Sequence, residues 1–499
     1  LPNIFFIYLY YNMSIFSSSV KSTIIDPVFT SSKRAEFRLA NRGEAYMPTM
    51  RIGNLGLQKD AQNQNTYHFG PGAASCITRI QLLDGNEELD SLRNVGNWLT
   101  FKNSLNTNSQ NDNVFTELSG GSLGWSAGAT GELLSNQNKV VREGDDDSLG
   151  TLDLRMVFPI LNSLSHLSTK LFKNLRIVME YHTDPKALVN SQSPANTLAG
   201  LKKSIPILIV DEIVDDALVA SLDKQLQSAS WVAIEHDEAA VPQVPGISAT
   251  GAVTDEVEQS VNLRINGFQN KAVSRIMVSK VYQDLDNYVY DANAAGTSTA
   301  IKALGQYGSK ALHKEEFNLR INGRNVLAGK GVTSPAAMAM LTADTWGELN
   351  VCPGAITESV GLDTKYDLTR TQRNGQTLTP AGRPPSNWIG VNRTAPRILE
   401  FGGILNAAAT AWDTEPSAQQ GPWVGNSSWV GVGVHDRVTD MQIQLTRTGN
   451  PTSVRTPGTP ATDQPVSSAG NYQALNLHVF AEVAKRIDVS GMDYKISYA

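Results

Sequence analysis

From one end of the chain to the other, short runs of residues alternate apolar and polar with a period of two. Ala35, Phe37 and Leu39 alternate with Glu36 and Arg38, and Leu175, Ile177, Met179 and Tyr181 with Arg176, Glu180 and His182. Val261, Leu263 and Ile265 oppose Asn262, Arg264 and Asn266; Phe317, Leu319 and Ile321 repeat this against Asn318, Arg320 and Asn322. Met441, Ile443 and Leu445 oppose Gln442, Gln444 and Thr446, and a last long run sets Leu475, Leu477, Val479, Ala481 and Val483 against Asn476, His478, Glu482 and Arg486. Successive strand side chains point to opposite faces, so each run is a strand with one face in a core. Parallel α/β sheets are covered on both faces and read instead as continuous apolar runs. The chain is therefore all-β and antiparallel, with helices expected only as decoration. One is expected on the stripe Leu89, Leu92, Val95 and Leu99, a turn or two in PILNSLSHLSTKLF, and a short one at 334–349.

A chain of 499 residues can form two domains. Two halves of similar plan are legible, each ending in an alternating strand, a long polar loop and a second alternating strand. In the first half these are KNLRIVMEYHTD and SIPILIVDEIV; in the second, TDMQIQLTRT and ALNLHVFAEVAKRIDV. Between them, at 220–259, the apolar pattern breaks and Pro, Gly and Ala accumulate, which reads as a linker. The expected division is 13–217 for the first domain and 218–499 for the linker and second domain. Residues 1–12, LPNIFFIYLYYN, read as translation upstream of Met13, since they lack a basic start and an evident cleavage site and are too short to span a bilayer; a truncated signal peptide is the alternative reading. No other apolar run reaches membrane length, and a soluble protein is expected. The hexapeptide NLRING occurs at 262–267 and again at 318–323, each copy a strand running into Asn-Gly, and reads as shared hairpin-turn chemistry.

Composition narrows the function classes. A net charge of −6 with both signs interspersed advertises no nucleic-acid groove and no membrane-seeking face. Cys76 and Cys352 cannot make a disulfide framework, and two free buried thiols in a reducing compartment are expected. GWSAG, at 124–128, has the nucleophile-elbow pattern around Ser126, but no strand precedes it and no helix comes after, so a glycine loop is expected. GRNVLAGKG, at 323–331, lacks the spacing and the Ser or Thr of a phosphate loop and reads as a Gly-rich turn. EGDDDSLG, at 143–150, does not follow helix-loop-helix calcium spacing and reads as a solvated loop. The histidines His68, His166, His182, His236, His313, His435 and His478 are scattered, without zinc-ligand spacing. His236 falls in the expected linker and should be exposed. Catalytic, cofactor-binding and metal residues are all expected to be none.

The most acidic stretch near an apolar run is CITRIQLLDGNEELD. Cys76, Ile80 and Leu82 alternate there with Ile77, Arg79 and Gln81, and Asp84-Gly85 ends the strand with turn chemistry. Glu87, Glu88 and Asp90 would then sit at the N-terminus of the helix carrying Leu89, Leu92, Val95 and Leu99, where carboxylates are favoured. Replacing Glu87 and Glu88 with Gln should cost little stability.

Together with KRAEFRLANRG, TLDLRMVFPILNSLSHLSTKLFKNLRIVMEYHTD and the ending NLHVFAEVAKRIDVSGMDYKISYA, this stretch resembles the double jelly-roll major capsid proteins of virophages, polinton-like viruses and related large DNA viruses. The resemblance implies two tandem eight-stranded antiparallel jelly rolls and a homotrimeric, pseudo-hexagonal capsomer in an icosahedral capsid. It implies no enzymatic activity and no cofactor. The partners it implies are further copies of the chain, neighbouring capsomers, and penton and minor capsid proteins; assembly would occur inside the host cell, without sequence-specific nucleic-acid binding. Loops at 366–425 and 446–470 would form crown and intersubunit contacts, and the segment SIFSSSVKSTIIDPVFTSS, at 14–32, an arm ordered by neighbours. Another virion protein or a carbohydrate-binding β-sandwich is the rival reading, for which Trp388, Trp412, Trp423 and Trp429 could supply an aromatic face.

Overall fold

The computed structural model describes residues 19–41, 45–59, 65–67, 72–106, 149–183, 189–191, 201–225, 228–242, 257–283, 316–329, 331–332, 341–342, 344–346, 430–449, 474–491 and 493–498. Its strands form two antiparallel sandwiches. In the first, β1 (Val20–Ile25), β4 (Ala45–Tyr46), β5 (Arg51–Leu55), β10 (Gly150–Asp153), β11 (Leu167–Ser168) and β15 (Ile207–Ile213) make one sheet, ordered β10-β5-β15-β4-β11 with β1 paired to β15. The facing sheet holds β2 (Phe29–Thr30), β3 (Arg34–Arg38), β8 (Ile77–Asp84), β9 (Glu87–Arg93) and β12 (Leu175–Tyr181), ordered β2-β3-β12-β8-β9. Two short ladders, β6 (Leu57–Lys59) with β14 (Leu201–Lys203) and β7 (Asn65–Tyr67) with β13 (Val189–Ser191), belong to the same half.

In the second sandwich, β16 (Ala229–Val241), β18 (Lys271–Tyr282), β21 (Val430–Val438), β23 (Leu475–Ser490) and β24 (Asp493–Tyr498) form a sheet ordered β16-β23-β18-β21, with β24 on β23. Facing it, β17 (Val257–Ile265), β19 (Glu316–Ile321), β20 (Arg324–Asn325) and β22 (Met441–Gly449) are ordered β17-β22-β19-β20. The two halves share one plan: β10-β5-β15-β1 matches β21-β18-β23-β16, and β3-β12-β8-β9 matches β17-β22-β19-β20. The alternating runs supply the cores. Phe37, Ile80, Leu82, Ile177 and Met179 fill the first, and Ile265, Leu319, Ile443, Leu477 and Val479 the second, all fully buried. Ile77, expected to face outward, is also buried. No helix among the described residues is long and apolar enough to cross a membrane.

The structure corrects four local expectations. Leu89 and Leu92 belong to β9, not to a helix, and the helix begins at Val95 (Val95–Asn106). The β8–β9 register shifts between Leu82 and Leu83, so one extra residue enters β9 and two core leucines fall three apart. A β-bulge thus imitates helical spacing. Glu87, Glu88 and Asp90 accordingly cap no helix.

Second, the expected linker is structured. Its start lies in a helix (Asp216–Gln225), and residues 229–241 form β16, paired along its whole length with β23. Third, the expected arm contains β1, which pairs with β15 of its own chain from Val20↔Ile213 to Ile25↔Leu208. Fourth, the two Asn-Gly turns differ. Asn322-Gly323, both at positive φ, close the tight β19–β20 hairpin. The amides of Asn266 and Gly267 instead donate to Asp237 Oδ2 (3.1 and 2.8 Å), and the chain crosses from one sheet to the other. In the segment expected to be a Gly-rich turn, Gly323, Gly329 and Gly331 are at positive φ, and Arg324–Asn325 form β20.

Candidate functional site: the seam between the sandwiches

The two sandwiches are joined by an aromatic seam. From the Val95–Asn106 helix, Trp98 meets Trp346 (ring centroids 5.8 Å apart) and Phe480 of β23 (5.7 Å), and Phe101 meets Trp346 edge-on (5.0 Å). The Trp98 indole N–H donates to the Met156 carbonyl (3.1 Å), which satisfies its polar tip. The Arg275 guanidinium lies over the Trp346 ring (4.2 Å) and is held by two hydrogen bonds to Glu482 (2.5 and 2.8 Å). Trp346 comes this close to β21 because residue 431 is glycine: a Cβ there would stand 2.7 Å from the indole. Farther along, the Tyr494 hydroxyl donates to Asp84 Oδ2 (2.9 Å), so that β24 grips the end of β8.

The acidic stretch lies along this seam without forming a carboxylate pair. Asp84 Oδ1 accepts from the Asn174 amide (2.6 Å). Glu87 is exposed. Glu88 accepts from Arg79, Gln81 and Ser91 (3.1, 2.6 and 2.6 Å); burial pushes its carboxyl up, but the Ser91 and Gln81 bonds and the Arg79 and Lys485 charges hold it below the ordinary range. Asp90 is fully buried and accepts from the amides of Ile160 and Ser91 (3.1 and 3.0 Å). Burial raises it to about 7 against the Lys485 charge and those amides. Asp84, Glu88 and Asp90 are each engaged in structural hydrogen bonds, and no two of these carboxylates form a pair across a cleft.

Folding gathers histidines that the sequence leaves scattered. His166, fully buried, lies between Ser165 (2.9 Å at Nδ1) and Asp223 (3.1 Å at Nε2). Asp223 also pairs with Lys170 (3.0 Å), so this group clasps the Asp216–Gln225 helix to the first sandwich. In the second, the β16–β23 register sets Glu238 opposite His478 and His236 opposite Phe480. His236 Nε2 lies 3.1 Å from His478 Nδ1, and Glu238 reaches within 3.6 Å of the same nitrogen. His236 is half-buried rather than exposed in a linker. Burial, with Arg93 nearby, depresses it to about 4; burial and His236 depress His478 to about 3. The signal that could have found this pair is β16 itself, which the broken periodicity hides.

Cys76 is a buried free thiol, its Sγ 3.0 Å from the Ala73 carbonyl and pushed up to about 12 by burial. Cys352, Ser126, residues 143–148, His68, His313, Trp388, Trp412, Trp423, Trp429 and the loop at 366–425 lie outside the described residues.

No protein-family model matches the sequence, and no curated protein matches it. Solved structures do match. PBCV-1 VP54, fitted into a reconstruction of the virophage Sputnik, aligns over 96% of this chain and 97% of its own, with a TM-score of 0.53 and 11% identity. A chain of the PBCV-1 virus capsid aligns over 96% of each, with a TM-score of 0.51 and 10% identity. The mavirus major capsid protein aligns over 97% of this chain and 90% of its own, with a TM-score of 0.50 and 8% identity. The fold is the double jelly roll. Among the described residues, short edge pieces augment the expected eight strands of each roll, giving sheets of six and five strands in the first jelly roll and five and four in the second.

Proposed function

We propose that this chain is the major capsid protein of a DNA virus, located in the virion, with three copies forming a pseudo-hexagonal capsomer of an icosahedral shell. Its work is self-association rather than catalysis. Two jelly rolls of one plan, repeated in three copies, supply six similar blocks around a ring, and full-length alignment with capsid proteins supports that use. Penton and minor capsid proteins complete the shell, and the chain's two building blocks, expected to divide at 217/218, divide instead after the Asp216–Gln225 helix, which the first sandwich holds.

The observation that carries the reading is the different fate of the two equivalent flanking strands. β16 lies against β9 and the Pro159–Asn162 turn of the first jelly roll, burying Trp231, Ala233 and Ile234. Beside the equivalent strand β1, large apolar side chains stand in the open: Ile24 (64% exposed), Val28 (62%), Phe29 (51%) and Ile205 (64%). Exposed apolar side chains grouped in this way mark an association surface. Next to β20, the counterpart of β9, Val326 is also exposed. In the capsomer, the β1 flank of one copy docks against the β20 side of the next, repeating between chains the seam made within each. Size-exclusion chromatography with light scattering tests this: a stable trimer with larger assemblies is expected, and a monomer at all concentrations overturns it.

A further inference from the structure

We propose that His236, Glu238 and His478 form a binding site for one divalent transition-metal ion of the zinc class, stapling β16 to β23 beside the seam. The three side chains share one face of the sheet. His236 and Glu238 are two apart on β16, and Glu238 is the direct cross-strand partner of His478. Their ligand atoms all lie within 4.8 Å of one another. Metal–ligand bonds of about 2.0–2.1 Å in a tetrahedral shell place neighbouring donors roughly 3.3 Å apart. His236 Nε2 and His478 Nδ1 are already 3.1 Å apart, and His478 Nδ1 and Glu238 Oε2 3.6 Å. Glu238 is exposed, so its carboxylate can swing to close the remaining edge while the two rings stay fixed.

The chemistry of the donors selects the ion. Two imidazoles and a carboxylate suit zinc, cobalt or nickel, whereas magnesium and calcium require all-oxygen shells. Imidazole ligates in its neutral form, through a ring nitrogen's lone pair. The rings stack at 5.3 Å, and His236 also packs on Phe480 (4.8 Å), which orients its nitrogen. Arg93 opposes a cation here, and the Glu238 carboxylate offsets it. Three protein ligands leave a fourth position for water, the open arrangement of such sites.

The test is titration of the chelator-stripped full-length protein with Co²⁺ and then Zn²⁺. One equivalent of Co²⁺ is expected to give the visible absorption of a tetrahedral site, to be displaced by Zn²⁺, and to be unaffected by excess Mg²⁺. The double variant His236→Asn/His478→Asn should abolish that spectrum. Glu238→Gln, at an exposed position, preserves folding and should weaken binding by more than about tenfold, the loss that removal of an outer partner alone produces. Absence of the tetrahedral spectrum in the wild type, or a spectrum and affinity unchanged in Glu238→Gln, overturns the site.

Discussion

β1 and β16 occupy the same position in their jelly rolls, yet one is six residues long with no buried side chain and the other thirteen, buried on parts of both faces. One fold element thus meets two different surroundings. β16 has a partner in its own chain, so its outer face carries apolar residues that the first jelly roll covers. β1 has only β15, and the apolar residues at its flank remain in the open. Substitution on each side puts that contrast to the test.

The largest effect belongs to the covered side. Trp98→Ala removes the ring that joins the Val95–Asn106 helix to Trp346 and Phe480 and should cost about 3–5 kcal/mol, read from urea unfolding. Gly431→Ala drives a methyl into Trp346 and should cost about 1–3 kcal/mol by the same measurement. A loss below 0.5 kcal/mol in both, roughly that of an ordinary surface change, would mean that the seam does not hold the halves together. On the open side, Phe29→Ser combined with Ile24→Ser should leave the urea midpoint of the separated chain almost unchanged and abolish the proposed trimer in light scattering. Loss of folding with the trimer retained would reverse the assignment of the two flanks.

Titration separates the jelly rolls more finely. The Asp90 carboxyl, raised to about 7, contributes stability that is complete below the ordinary carboxylate value of about 3.9 and is lost as pH rises through 7. His236 and His478, depressed to about 4 and 3, contribute stability that is complete above about 6.5 and lost as pH falls through 4 and then 3. Melting temperatures from pH 4 to 8 should therefore show Asp90→Asn gaining on the wild type as pH rises and His478→Asn gaining as it falls. The smallest effect separates two neighbours on β9: Glu88→Gln weakens three hydrogen bonds and should cost about 0.5–1.5 kcal/mol, whereas Glu87→Gln should be silent.

The same contrast marks where the sequence is legible. Strands with one face in a core, such as β12 and β22, announce themselves by alternation. β1 buries no residue fully, half-covering only Val20, Thr23 and Ile25, and β16 buries parts of both faces, so neither alternates cleanly; the arm and the linker expected from the sequence each contain one strand of the shared plan. The bulge that sets Leu89 and Leu92 three apart conceals β9 as a helix. His236 and His478 are 242 positions apart, and only the β16–β23 register brings them together. The seam is illegible for a related reason: Trp98, Trp346 and Phe480 come from three distant segments with no common pattern.

The two NLRING copies bear on how the second jelly roll folds. Asn262, Leu263, Arg264 and Ile265 pair with Gln444, Ile443, Gln442 and Met441, and Asn318, Leu319, Arg320 and Ile321 pair with the same four residues from the other side. One strand is thus sandwiched between identical tetrapeptides in identical register. Over those four residues β22 meets two interchangeable templates; beyond them the ladders differ, nine pairs with β17 against six with β19. The turn at the end of each copy differs as well: Asp237 captures one Asn-Gly where the chain crosses to the other sheet, while Asn322 locks the second onto Thr439 and Asp440. Ladder length and a few polar turn contacts are thus what distinguish the native order from an exchange of the two copies.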